Sequence, residues 1–124
     1  DSMQDLYAKI AKADAIVLAA PIYFYGLPSQ AKATIDRCQL FFNMTYRRKE
    51  PIRTKPGKGF FMSVGATKGH RLFDGAVLTV KYWFDALGIE YAGDALFRGV
   101  DEPGAILERP DALEQARGLA DLLN

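Results

Sequence analysis

The stretch Ala15-Ile16-Val17-Leu18-Ala19-Ala20-Pro21-Ile22-Tyr23-Phe24-Tyr25-Gly26 decides the fold. Its first six residues are apolar without alternation and stop at Pro21, the pattern of a strand covered on both faces in a parallel sheet. A central place in that sheet is expected. Upstream, Met3, Leu6, Tyr7 and Ile10 recur at i, i+3, i+4 and i+7 with Gln4, Asp5, Lys9 and Lys12 opposite, which predicts an amphipathic helix. Downstream, Pro28 suits a first helical turn, and Ala31, Ile35, Cys38 and Phe42 carry one helical face through residues 28–42.

Residues 43–58 hold Pro51, Pro56 and Gly57 and no apolar period, so an irregular connection is expected there. A second short apolar run at 59–64 reads as the next strand. Phe73, Val77, Val80, Phe84 and Leu87 predict a helix, with Gly88 where a left-handed residue ends it. Residues 89–97 read as a third strand, weakened by Gly93 and Asp94. Beyond the turn signal at 101–104, Leu113, Ala116, Ala120 and Leu123 make a last helix with Asp111 near its start. A helix followed by three strand-helix units predicts an α/β domain, a parallel sheet with right-handed crossovers and helices on both faces. Three strands leave much helical apolar surface uncovered. Further strands are therefore expected, from residues preceding Asp1 or from another subunit.

The 124 residues fit one domain, and 16 basic against 15 acidic residues leave a net charge of +1, which calls for neither nucleic acid nor an anionic membrane. The lone Cys38 and lone His70 exclude a disulfide framework and a Cys/His zinc cage. With no apolar run of spanning length, a reducing, cytoplasmic setting is expected.

In open α/β sheets the ligand site lies beyond the carboxyl ends of the strands. After the first strand comes Pro21-Ile22-Tyr23-Phe24-Tyr25-Gly26, whose three successive aromatics cannot all enter one core. At least one should meet a flat ligand or a partner. After the second strand comes Gly65-Ala66-Thr67-Lys68-Gly69, whose glycines let backbone amides approach an acceptor and whose Thr67 and Lys68 add donors. The two loops together suit a planar ring with polar edges.

The first loop, followed by Gln30, Lys32, Ala33, Ile35, Asp36 and Arg37, resembles the third-strand loop and helix of the NADPH-dependent FMN reductase and iron-sulfur flavoprotein branch of the flavodoxin-like superfamily. The second loop is similar to that family's fourth-strand loop. The resemblance covers residues 1–124 as the C-terminal two-thirds of one flavodoxin-like domain, a three-layer sandwich without its first two strands and phosphate loop. It implies FMN as cofactor, with Pro21, Ile22, Tyr23, Phe24, Tyr25 and Gly26 along the isoalloxazine edge. Gly65, Ala66, Thr67, Lys68 and Gly69 would flank the ring and ribityl chain. It further implies NADPH or NADH as reductant, a small-molecule acceptor such as free flavin or a quinone, and a homo-oligomer. Backbone amides can tune a flavin without any side-chain acid or base, so no catalytic residue is named. The clustered cysteines of iron-sulfur members have no counterpart here, and Cys38 alone cannot hold a cluster.

Each sharp reading has a plainer rival. Tyr23, Phe24 and Tyr25 could serve core packing and a subunit contact, and Lys32 with Asp36 is a surface ion pair by spacing. Cys38 shares the apolar stripe of Ile35 and Phe42 and reads as an inert thiol. Trp83 and Tyr82 read as core and interface residues, and His70 as a solvated loop residue. Arg47, Arg48, Lys49, Arg53, Lys55, Lys58, Lys68 and Arg71 face only Glu50 between residues 47 and 71. That segregation could steer an anionic dinucleotide, or could be a solvated loop. The rival function is a flavodoxin-like assembly or regulatory module without cofactor. A flavodoxin carrier is disfavoured by the near-neutral charge, and a receiver domain by the lack of an acidic magnesium cluster.

Overall fold

A computed structural model describes residues 2–124. Its helices are α1 (Ser2–Lys12), α2 (Ser29–Asp36), α3 (Gln39–Phe42), α4 (Asp74–Ala86) and α5 (Pro110–Gly118), and its strands are β1 (Ala15–Ala19), β2 (Gly57–Val64) and β3 (Ile89–Phe97). The sheet is parallel throughout, in the order β1-β2-β3. The predicted helix–strand alternation is therefore the observed one, with helices on both faces.

The larger core lies on the face of α1 to α4, where Phe61, Val80, Phe84 and Leu87 are essentially inaccessible to water. Gly59 is needed there, because a Cβ would overlap the Phe84 ring. The smaller core joins Ala95 and Phe97 of β3 to Ala112 of α5, with Met62 and Val64 of β2 against it. Gly93 belongs to that second face. A side chain there would sit 3.0 Å from Leu122 and 3.1 Å from Leu119, so its smallness admits the C-terminal helical turn of Leu119–Leu123. The same glycine follows a bulge: Gly59 pairs with Tyr91 and Phe60 with Gly93, leaving Ala92 extra. A strand's period of two would send Tyr91 and Asp94 to opposite faces. The extra residue restores them to one face, and the Tyr91 hydroxyl donates to Asp94 at 2.6 Å.

Four expectations need correction. First, β1 is the edge of this sheet, not its centre, and Val17 is 56% exposed. Ile16 and Leu18 pack on the large core, while α5 covers β2 and β3 without reaching Val17. Second, the helix expected over 28–42 breaks at Arg37 and Cys38. Cys38 has φ −85° and ψ 12°, and the chain restarts as the short α3. Third, the expected irregular segment contains a π-helical turn, Asn43–Arg47. Its Thr45 hydroxyl donates to the Ala86 carbonyl at 2.9 Å and its Tyr46 hydroxyl to Asp85, so it caps the C-terminal end of α4. Fourth, β2 begins at Gly57 and the last helix ends at Gly118, the remainder tightening into a 3-10 turn. Gly88 is left-handed as expected, with φ +70°.

Among the described residues no helix is long and apolar enough to cross a membrane, and no group of His, Cys, Asp or Glu could hold a metal ion.

Candidate functional site

The two loops singled out in the sequence meet at the carboxyl end of the sheet. Backbone pairing continues past the end of β1, from the Ala20 amide to the Met62 carbonyl at 3.1 Å and from Ile22 to Val64 at 3.0 Å. Tyr23 and Gly26 then exchange both backbone hydrogen bonds, at 2.9 and 3.1 Å, which closes a tight turn around Phe24 and Tyr25. Both central residues have positive φ, 51° and 62°, as a type I′ turn demands. That conformation suits Asn-Gly; in bulky aromatics it stores strain. In this turn Phe24 stands entirely in solvent, and Tyr23 and Tyr25 are about half exposed.

Gly65 to Gly69 leave β2 alongside the segment that leaves β3. The Val100 amide donates to the Gly65 carbonyl and the Gly99 amide to the Thr67 carbonyl, each at 3.0 Å. Arg98 completes the seam, its Nε donating to the Gly69 carbonyl at 2.8 Å and its Nη2 to the His70 carbonyl at 2.9 Å. Four carbonyls of this loop are thus claimed from the β3 side. In a trans peptide the N–H points opposite to the C=O of the same plane. The amides of Ala66, Lys68, His70 and Arg71 are therefore directed away from β3. None of the amides from Ala66 to Arg71 donates to a backbone carbonyl among the described residues.

The glycines of this loop also have a packing role. Neither Gly65 nor Gly69 needs a positive φ. A Cβ on Gly65 would overlap Leu72, and a Cβ on Gly69 would overlap the Tyr25 hydroxyl. Gly69 is the contact point of the two loops: it admits the Tyr25 ring, and a larger residue would push the aromatic turn away. Thr67 and Lys68 are exposed, and the Lys68 stem lies against Gly99.

The structure separates other predicted residues from this site. Lys32 and Asp36 pair at 2.8 Å across one turn of α2, both exposed. Asp36 ends that helix, roughly 10 Å along its axis from the loop. Of the basic run, Lys68 and Arg71 adjoin the site, with Arg71 paired to Asp74 at 3.1 Å. Arg53, Lys55 and Lys58 stand at the opposite, amino end of the strands, around a 470 Å³ cavity with Asp14 and Asn124. The run does not converge on the two loops, so it offers no single steering patch there. His70 is exposed, and Tyr82 is 70% exposed while its neighbour Trp83 is buried. Cys38 is buried; burial raises its thiol pKa, and the Trp83 indole only partly offsets this, which favours the protonated thiol.

Sequence reasoning missed Arg98 and Arg109. Arg109 precedes α5, donates to the Arg98 carbonyl at 2.7 Å and stacks 5.6 Å from the Phe97 ring centre. The available signal was position: Arg98-Gly99 directly follows the third strand, at the same carboxyl end that directs attention to the first two loops.

Comparison with known proteins agrees with this architecture. The family model "NADPH-dependent FMN reductase" matches residues 1–92. An iron-sulfur flavoprotein of Methanosarcina thermophila is 29% identical over 94 residues, covering 76% of this chain and 46% of the relative. An FMN-dependent NADH:quinone oxidoreductase of Albidiferax ferrireducens is 36% identical over 67 residues, 53% of this chain and 32% of the relative. The chain thus spans less than half the length of these curated relatives. Among solved structures, the Trp repressor binding protein from Bacillus subtilis superposes with a TM-score of 0.73 at 21% identity, over 93% of this chain and 73% of that one. A flavone reductase superposes with a TM-score of 0.64 at 20% identity, over 94% and 42%. At these identities the superpositions speak to a flavodoxin-like fold alone. With the family model covering most of its length, the chain belongs to the NADPH-dependent FMN reductase family.

Proposed function

We propose that this chain carries the ring-binding part of an FMN-dependent oxidoreductase that takes electrons from NADPH or NADH and passes them to free flavin, a quinone or another small acceptor. One observation carries the reading: a row of backbone donors, Ala66, Lys68, His70 and Arg71, lies unclaimed on the side of the second loop away from β3. A flavin presents acceptors along its pyrimidine edge and at N5, so such a row fits it. FMN, when bound, supplies the electron-transfer chemistry.

The chain's own part is to bind, orient and shield. Pro21 and Ile22 continue the β1–β2 pairing and fix where the aromatic turn starts. Tyr23, Phe24, Tyr25 and Gly26 bring ring faces to one edge of the flavin, with Phe24 free to stack. Gly65, Ala66, Thr67, Lys68 and Gly69 flank the ring and ribityl chain through amides, with Thr67 and Lys68 as further donors. The exposed aromatics Phe24, Phe42, Tyr46 and Tyr82 support a homo-oligomer. A single buried cysteine suits a reducing, cytoplasmic setting.

Titration of the purified protein with FMN tests this. Flavin fluorescence should be quenched with micromolar affinity, and joint replacement of Tyr23 and Tyr25 by Ala should weaken binding about tenfold or more, while Cys38→Ser leaves it within about twofold. No quenching by a correctly folded full-length product removes the reading. A second reading draws on the Tyr25 hydroxyl over Gly69, which narrows the gap between the loops. In that case the domain is a cofactor-free assembly module, and light scattering finds a stable homo-oligomer that FMN neither enters nor alters.

A further inference from the structure

Two guanidinium groups at the carboxyl end of β3 spend their donors on backbone carbonyls. Arg98 takes the carbonyls of Gly69 and His70, and Arg109 takes the carbonyl of Arg98 itself. Neither appears in an ion pair among the described residues. Arg98 also lies 5.1 Å from the centre of the Phe73 ring, just before α4, so its plane is fixed from a third direction. Residues 98 and 109 lie beyond the stretch that the family model matches, 1–92. The other carbonyls of the seam, at Gly65 and Thr67, are held by backbone amides and need no particular side chain. The last two depend on Arg98 alone among side chains.

From this geometry we infer that Arg98 is a positioning residue for cofactor binding: by holding the Gly69 and His70 carbonyls toward β3 it turns the His70 and Arg71 amides outward as donors. The inference rests on the flavin reading above for what those amides receive, and on the structure for how they are aimed. A guanidinium fork can engage two carbonyls of successive peptides at once, which one ammonium does poorly. Without it the 70–71 peptide plane loses the hydrogen bond to its carbonyl, and the 69–70 plane keeps only the Leu72 amide, 3.2 Å from the Gly69 carbonyl. Arg109 extends the effect to α5: it fixes the backbone from which Arg98 projects, so the docking of that helix and the set of the loop are linked.

The test compares wild type, Arg98→Ala and Arg98→Lys in two measurements. In the flavin-free protein, nitrogen-15 amide spectra should show the His70 and Arg71 signals shifted or broadened in Arg98→Ala, with the signals of the β1–β2 pairing unchanged. In FMN titrations, Arg98→Ala should bind about tenfold or more weakly, Arg98→Lys should recover part of the loss, and millimolar guanidinium ion added to Arg98→Ala should recover more. A merely structural role would not respond to guanidinium at constant thermal midpoint. Unmoved loop amides in Arg98→Ala, or FMN binding equal to wild type, overturn the inference. If Arg98→Ala does not fold, Arg98→Lys is read by the same two measurements. Wild type that fails to bind FMN overturns the flavin reading instead, and the amide spectra still decide whether Arg98 aims the loop.

Discussion

Arg53 shows how one side chain can secure the end of the domain opposite the candidate site. Its Nε donates to the Leu87 carbonyl at 2.8 Å and its Nη2 to the Ile10 carbonyl at 2.7 Å, while Nη1 reaches the Ala13 carbonyl. These are carbonyls at the C-terminal ends of α4 and α1, where the Ile10 carbonyl also accepts from the Ala13 amide at 3.3 Å. The stem lies along left-handed Gly88, where an added Cβ would come within 3.0 Å of it. Burial lowers the guanidinium pKa and nearby Asp14 opposes that shift. Removing the fork strands the Leu87 and Ala13 carbonyls and leaves Ile10 with one weak backbone partner, so Arg53→Ala should cost about 2–4 kcal/mol. Arg53→Lys, which keeps the charge without the fork, should recover less than half. Urea unfolding midpoints measure both; a loss below about 0.5 kcal/mol would show that water replaces the guanidinium without penalty.

At the scale of the element, the turn around Phe24 and Tyr25 is where local preference and the proposed function diverge. A type I′ turn with Asn-Gly at its centre avoids the penalty that two bulky residues incur at positive φ. The double substitution Phe24→Asn with Tyr25→Gly should therefore stabilise the protein by about 1–3 kcal/mol while weakening FMN binding about tenfold or more. Thermal melts and fluorescence titration read the two effects separately, and a destabilised double variant would mean that the Tyr25–Gly69 contact outweighs the strain. The same turn marks the limit of what a sequence discloses. Its aromatics are legible as misfits in a core, but their left-handed geometry is not, since nothing in Phe-Tyr announces positive φ. Periodicity locates α1 and α4 because each keeps one buried face, whereas β3 packs residues on both cores and shows in the sequence only as a short apolar stretch. It fails at Cys38, where the apolar stripe runs unbroken across two short helices, and at Asn43–Arg47, whose hydroxyls find partners on α4, some 40 residues away in the chain. The far half of the donor row after β2, at His70 and Arg71, is equally hidden, since it depends on Arg98, which lies 29 residues beyond Gly69.

The whole molecule is bounded on one side by β1, an apolar strand with an open flank. Donors at Ala20 and Ile22 and the acceptor at Asp14 all point to β2, so by the period of two the even-numbered residues face the ladder. In a parallel strand each residue directs its N–H and C=O to the same side. Val17 therefore turns both groups outward to the unpaired edge, and its side chain is exposed as well. A short apolar edge with free donors and acceptors is a template for another strand. The 124-residue chain should self-associate through it, seen as an apparent mass that rises with concentration in light scattering. Val17→Pro removes the outward N–H and leaves every ladder bond to β2, so it should suppress association with little change in thermal midpoint. Leu18→Pro removes an inward donor beside the large core and should lower the midpoint by several degrees or more, or prevent folding. Association that Val17→Pro leaves unchanged would move the contact elsewhere, with the aromatic surface of Phe42, Tyr46 and Tyr82 the next to be substituted.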